Sequence, residues 1–308
     1  MKILFKNQKN SSLVSNSFGF LKFPIVSNAY NSSSDFVVTG VPFDMASSGR
    51  SGSKLAPTHI RKISSNLFWE EKRWPWNFNF RKYLRVVDYG DLEFPCGNIE
   101  SFCNILQKHS ENLLKNKKKM LTFGGDHFIT LPILRAYKKF FGKISIIQFD
   151  AHSDDYETNN LFDHGTIFLQ AKKEDLIEEK NCIRIGVRTE YEKNDFLTLD
   201  SDYINNTSIK KISDIIIKTV KDSFVYLTFD IDCVDPSYAP GTGTPVVGGI
   251  SSNKVLQIIR KLKNINIIGM DIVEVSPPYD YAEITSLLAA TIALEMLYIQ
   301  AFRFYNFR

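Results

Sequence analysis

The chain has 308 residues and a formal net charge of +4, with 44% hydrophobic and 23% charged residues. This is the balance of a soluble globular protein with a real core. Lysines gather at Lys115–Lys119 and at Lys172 and Lys173 but form no long basic arm, so no nucleic-acid partner is expected.

Along the chain, apolar runs with the character of fully buried strands begin at Asp35–Phe43 and Leu84–Asp91. They continue at Lys119–Gly125, Lys143–Asp150, Cys182–Arg188, Val225–Asp232 and Ile265–Val275. Helical periodicity falls between them at Pro57–Phe68, Glu100–Lys115, Thr130–Phe141, Asn253–Leu262 and Ala282–Phe302. Strands apolar on both faces, alternating with helices, predict an α/β fold, three layers (α/β/α) around a mainly parallel central sheet. No composition break divides the chain, so one domain over residues 1–308 is expected, with 1–34 and the tail after Ala301 peripheral. The apolar stretch Ile284–Met296 is bracketed by Glu283 and Glu295. Its uncharged run falls short of the roughly 18 residues that a membrane span requires, so it reads as a buried helix and no membrane partner is expected. The start, MKILFKNQKN, lacks an apolar core for a secretory signal. The four cysteines (Cys96, Cys103, Cys182 and Cys233) form no CxxC pair. Both features fit a reducing, cytoplasmic setting.

Ligands of parallel sheets bind beyond the carboxyl ends of the strands, and polar residues gather there in this chain. One strand runs into Asp126 and His127, another into Asp150, His152 and Asp154. A third runs into Asp230 and Asp232, and the last supplies Glu274. Side chains two apart on an extended segment share a side, so Asp150 and His152 can face one way, as can Asp230 and Asp232. A strand-end Asp standing alone is more often a helix cap or turn residue. Four carboxylates gathered without counter-charge would be very costly, whereas two divalent cations would balance them. Imidazoles and carboxylates without thiolate suit manganese-like metals better than structural zinc. His59 and His109 lie in helical patterns and read as surface or packing residues.

Three segments then carry a specific likeness: GGDHFITLP (Gly124–Pro132), FDAHSDD (Phe149–Asp155) and TFDIDCVDPSYAPGTGTPVVGG (Thr228–Gly249). In content, order and separation they resemble the signature segments of the ureohydrolase family, which includes arginases and agmatinases. VPFDMASSGRSG, FDHGTIF and DIVEVSPPYDYAEIT extend the likeness over most of the chain. The resemblance implies an arginase-like fold and a two-manganese (Mn2+) hydrolase that attacks a guanidinium carbon with a metal-bridged hydroxide. It implies one manganese on His127, Asp150, Asp154 and Asp230. The second would be on His152, Asp150, Asp230 and Asp232, with Asp150 and Asp230 bridging. His164 matches the proton-transfer histidine, Glu274 the carboxylate that holds the guanidinium, and Thr244 a hydroxyl lining the site. A trimeric or hexameric homo-oligomer is also implied.

The loop DYETNNLFDHG (Asp155–Gly165) departs from the arginase pattern and resembles agmatinases. Its charged residues, Asp155, Glu157 and Asp163, are all acidic. That character suits the ammonium of agmatine and repels a substrate carboxylate, so cleavage of agmatine to putrescine and urea is the expected reaction. Another amidinohydrolase, such as one acting on guanidinobutyrate, is the nearest alternative, with Arg50 as a candidate partner for a carboxylate. A metal-binding homologue without catalysis is the remaining one.

Overall fold

The computed structural model describes residues 19–26 and 28–305. Its centre is an eight-stranded sheet in which every pairing is parallel. In chain order the strands are β1 (Phe36–Gly40), β2 (Val86–Asp91), β3 (Lys119–Phe123), β4 (Ser145–Phe149), β5 (Ile183–Ile185), β6 (Leu197–Leu199), β7 (Val225–Asp230) and β8 (Ile267–Val273). In space they run β2-β1-β3-β8-β7-β4-β5-β6. Helices α1 (Ala56–Ser64), α2 (Ile99–Lys115), α3 (Thr130–Phe141), α4 (Ile167–Lys173), α5 (Ser201–Asn206), α6 (Ile209–Val220), α7 (Ser252–Lys261) and α8 (Ile284–Tyr305) form the outer layers.

Strand periodicity explains the layering. Phe36 and Val38 point into one apolar core with α1, α5, α6, α7 and α8, while Val37 points into the other with α2, α3 and α4. Alternate side chains of the sheet thus feed both cores, and the central strands are buried along their whole length. Helix ends follow local chemistry. Asn98 caps α2 by accepting from the Ser101 amide, and Ser208 caps α6 by accepting from Lys211.

All seven strands expected from sequence are present, and β6 is an addition. α4, α5 and α6 are likewise additions to the expected helices. Helix α8 is long and apolar enough to cross a membrane by composition, yet 78% of that window is buried inside the fold. Its Glu295 accepts from Trp76 Nε1 and Arg260 Nη2, both at 2.6 Å.

The expectation of a peripheral 1–34 needs correction where the structure describes it; residues 1–18 and Ser27 lie outside the described residues. Phe20 and Leu21 are fully buried, and the Phe20 ring meets Phe123 edge-on at 4.9 Å. Beyond Ala301, α8 continues to Tyr305, whose ring stacks on Phe78 at 4.5 Å; residues 306–308 lie outside the description. His109 is a packing residue, held between the Tyr30 and Thr39 hydroxyls.

Asp88, at 0% exposure, joins the Phe20 segment to the sheet. It accepts from Phe20 N at 2.8 Å, from Arg61 Nε at 2.9 Å and Nη2 at 3.0 Å, and from Gly90 N at 2.8 Å. Removing it strands a buried guanidinium and two amides. Asp88→Ala should therefore cost about 3–5 kcal/mol of stability, measured by urea unfolding; a loss below about 1 kcal/mol would show that Asp91 alone compensates Arg61.

Candidate active site

The four middle strands, β3, β8, β7 and β4, are neighbours, and each ends in the polar residues singled out from sequence. Their carboxyl ends bring His127, Glu274, Asp230 with Asp232, and Asp150 with His152 and Asp154 to one place. His127 Nδ1 lies 2.8 Å from Asp154 Oδ2, 3.2 Å from Asp150 Oδ2 and 3.4 Å from Asp230 Oδ2. His152 Nδ1 lies 3.0 Å from Asp232 Oδ2 and 3.5 Å from Asp150 Oδ1. Two donor groups result: His127, Asp150, Asp154 and Asp230, and beside them Asp150, His152 and Asp232. The first matches the set implied by the resemblance in full. The second contains all of its set except Asp230, whose Oδ1 accepts from the Asp232 amide at 2.8 Å.

The partner of the other imidazole nitrogen determines what the first can bind. His127 Nε2 is 2.8 Å from Thr228 Oγ1, and that hydroxyl donates its only proton to Asp271 Oδ1 at 2.6 Å. Thr228 must then accept from Nε2–H, which leaves the Nδ1 lone pair facing three carboxylates. Nδ1 has no hydrogen-bond partner and is fully buried. A lone pair among anions is repulsive unless a cation sits between them, so the donor set fits a divalent metal. Titration tendencies carry the same message. Burial, with the charges of Asp232 and Asp150, pushes Asp230 well above the usual carboxylate range. Burial and Asp150 raise Asp154 to about 6. Burial works against protonation of His152 and His127, but the carboxylates around them outweigh it and raise both. Without added positive charge, the cluster recruits protons in its place.

Backbone geometry serves these side chains. Asp154 (φ 50°) and Glu274 (φ 63°) sit in the left-handed region, a conformation that costs such residues on the order of 1–3 kcal/mol. The Glu274 amide donates to Gly125 O at 2.8 Å. At Gly125 an added Cβ would meet Phe43 O at 1.5 Å, so only glycine fits beneath the histidine loop.

Glu274 and His164 form a second, adjoining unit. Glu274 Oε1 accepts from the His127 amide and from His164 Nδ1, both at 2.8 Å. Its Oε2 takes no hydrogen bond from the described residues and faces Gly243, where a Cβ would come within 3.6 Å. Burial alone would lower the His164 pKa, but Glu274, with Asp154 and Asp126 behind it, lifts it to about 10. The Ser48 amide is aimed at Nε2 from 3.1 Å and opposes that protonation. Nδ1–H is therefore the fixed proton, and Nε2 is the nitrogen free to gain and lose one.

A cavity of about 280 Å³ opens over both units, lined among others by Ser48, Tyr156, Asp163, His164 and Thr244. Thr244 Oγ1 donates to Asp232 Oδ2 at 3.3 Å. Among the described residues no Lys or Arg lines this cavity; Arg50 instead lies over the Tyr279 ring at 4.9 Å. The three acidic loop residues part company. Asp155 is tied to Arg184 at 2.5 Å and Lys172 at 2.8 Å, Glu157 is exposed and Asp163 lines the cavity.

Sequence reasoning missed several contributors. Ser48 approaches His164 Nε2 with its hydroxyl as well, at 2.8 Å. Asp126 is wholly buried and accepts from the Ala46 amide at 2.8 Å, tying the Ala46–Ser48 loop to the histidine loop. Gln148 Nε2 donates to Asp150 Oδ2 at 2.8 Å. The period-two register of β4 and β7, which places Gln148 with Asp150 and Thr228 with Asp230, was the signal for Gln148 and Thr228.

An all-parallel sheet in this strand order, with a buried His/Asp cluster at the carboxyl ends of its central strands, makes this an α/β protein whose donor groups fit a pair of metals. The arginase family's sequence profile matches residues 34–298. An agmatinase of Blochmanniella floridana is 56% identical over 295 residues, covering 96% of this chain and 97% of its own. The crystal structure of a hypothetical agmatinase from Burkholderia thailandensis matches with a TM-score of 0.90 at 38% identity, over 94% of this chain and 92% of that one. Proclavaminate amidino hydrolase from Streptomyces clavuligerus matches with a TM-score of 0.89 at 31% identity, over 94% and 99%. The chain belongs to the arginase family.

Thr228 orients the His127 ring through Nε2, and such partners typically set metal affinity within 10–100-fold. Thr228→Val should weaken divalent-cation binding at this donor set by about that factor in isothermal titration with Mn2+ as the probe, with the circular dichroism spectrum retained. Undiminished affinity would mean that the ring is held by its carboxylate neighbours alone.

Proposed function

We propose that this chain is a binuclear-manganese hydrolase that cleaves agmatine to putrescine and urea. The observation that carries the reading is the buried His127 Nδ1, without a hydrogen-bond partner among the described residues, set within 2.8–3.4 Å of Asp150, Asp154 and Asp230 carboxylate oxygens, beside a second His/Asp group that shares Asp150. Similarity of 56% to an agmatinase over nearly the whole chain supports agmatine as the substrate. In this reading His127, Asp150, Asp154 and Asp230 hold one metal, and His152, Asp150, Asp230 and Asp232 the other. Donors of nitrogen and oxygen alone favour Mn2+; Cys233 Sγ turns away, toward Ile185 O at 3.3 Å. Bound there, the metal pair supplies a hydroxide nucleophile at neutral pH.

The remaining steps belong to protein groups. Glu274 Oε2, free of other donors, takes a guanidinium N–H in a charge-assisted bond and turns the planar cation toward the metal cluster. Thr244 lines the opposite approach through its bond to Asp232. As the C–N bond breaks, the departing amine needs a proton, and His164 Nε2 is placed to deliver one. Glu274 holds the same ring through Nδ1, so one carboxylate positions both the electrophile and the acid.

The alternative, hydrolysis of a guanidino acid, would require a cation at the far end of the cavity, and among the described residues no Lys or Arg lines it. Cysteines that are all free, three of them buried, support a reducing compartment, the cytoplasm. Assembly as a trimer or hexamer over the whole single-domain chain completes the proposal, and light scattering on the purified protein reads it directly.

Purified protein with Mn2+ should release urea and putrescine in equal amounts from agmatine, and chelation should abolish release. Urea from guanidinobutyrate but not agmatine would replace the substrate and keep the chemistry. His164→Ala should lower kcat by about 10²–10⁴-fold while retaining bound metal; full turnover in that variant would remove His164 from proton transfer.

A further inference from the structure

We propose that Asp163 receives the ammonium end of the substrate and is the residue that selects a diamine-like guanidino compound over a neutral or acidic one. This rests on the agmatine reading above. The charges around the cavity lead to the assignment. Agmatine carries a cation at each end of a four-carbon chain. The carboxylates lining the cavity are Asp154, Asp163 and Asp230; Asp154 and Asp230 belong to the donor groups around His127, and Glu274 lies behind His164. Asp163 is thus the only lining carboxylate outside the two donor groups among the described residues, and it is half-buried, next in sequence to the buried His164.

Its local bonding leaves it available. Asp163 Oδ1 accepts from the Gly165 amide at 2.9 Å, which caps the short turn that carries His164. The other oxygen takes no hydrogen bond from the described residues, and no basic side chain pairs with this carboxylate. The neighbouring loop carboxylate Asp155 contrasts with it, being neutralised by Arg184 and Lys172. A partly desolvated carboxylate with one free oxygen on a cavity wall is a natural partner for an ammonium group, and its field disfavours a terminal carboxylate. Tyr156 and Thr158 also line the cavity and give the alkyl chain a side to lie against.

Asparagine separates charge from shape, because its side-chain oxygen still accepts from Gly165 N and keeps the His164 turn capped. For Asp163→Asn, kcat and KM are measured with agmatine and with butylguanidine, which has the same chain without the amino group. The ratio of kcat/KM for agmatine to that for butylguanidine should fall about 10-fold or more, the size expected for one lost charged hydrogen bond, with the loss in KM for agmatine. Asp163→Glu should recover part of that ratio. An unchanged ratio in a variant that still hydrolyses agmatine would overturn this assignment alone. Absence of urea from agmatine with the unaltered enzyme would overturn the agmatine reading together with it.

Discussion

The His127 ring, fixed by a hydroxyl on one nitrogen and surrounded by carboxylates on the other, is the arrangement on which the site depends. Its orientation starts in β8. Asp271, at 0% exposure, accepts from Thr130, Thr228 and Tyr226. Three hydroxyl donors stabilise a charge that burial would otherwise suppress. Thr228 in β7 has spent its proton on Asp271 and can only accept from His127. The imidazole that follows β3 thereby presents a bare lone pair to side chains that follow β4 and β7. A buried polar chain of this kind carries force only while its members are satisfied, and its end at His127 Nδ1, which faces the three carboxylates, has no hydrogen-bond partner among the described residues.

Strain is concentrated around the same point. Asp154 and Glu274, a donor-group carboxylate and the carboxylate that pairs with His164, both occupy the left-handed region, where a residue other than glycine is disfavoured. The Glu274 amide is held by Gly125 O, and Gly125 in turn has no room for a side chain against Phe43. Four adjoining parallel strands, buried on both faces, provide the rigidity that keeps such conformations in place. The fold's stability is thereby linked to the exact aim of two carboxylates.

Much of this was legible in the sequence, because buried strands and strand-end polar residues leave strong one-dimensional signals. The strand-end histidines and aspartates named as ligands lie in the two donor groups, and Glu274 adjoins them through the His127 amide and His164. The edge strand β6 was not legible: Leu197–Leu199 is three residues long and only its last side chain is buried, too short for a period to register. Helix α6 carries apolar residues at Ile212, Ile216 and Val220, a helical spacing hidden within a lysine- and isoleucine-rich stretch. The Phe20 segment looked peripheral because a polar run precedes it, and its burial depends on Asp88, a contact 68 residues away. The role of Ser48, and the contact of the strand-end Asp126 with the Ala46 amide 80 residues away, were unreadable for the same reason. Both come from loops that meet only in three dimensions.

This division has a physical basis and bears on how one scaffold accommodates different guanidino substrates. The imidazoles and carboxylates of the two donor groups end or follow strands β3, β4 and β7, where neighbouring strands fix their position. The loop between Asp155 and Gly165 contributes Tyr156, Thr158 and Asp163 to the cavity lining. That loop is pinned at its start by the ion pairs of Asp155 with Arg184 and Lys172. At its close it is pinned by the Asp163 cap and by His164, whose amide donates to Ala46 O at 3.2 Å. Thr158, Asn159, Asn160 and Leu161 between these anchors are exposed, so substitutions there need not disturb the cluster below. Chemistry is set by what the sheet holds still, and selectivity by what a loop anchored at both ends is free to vary.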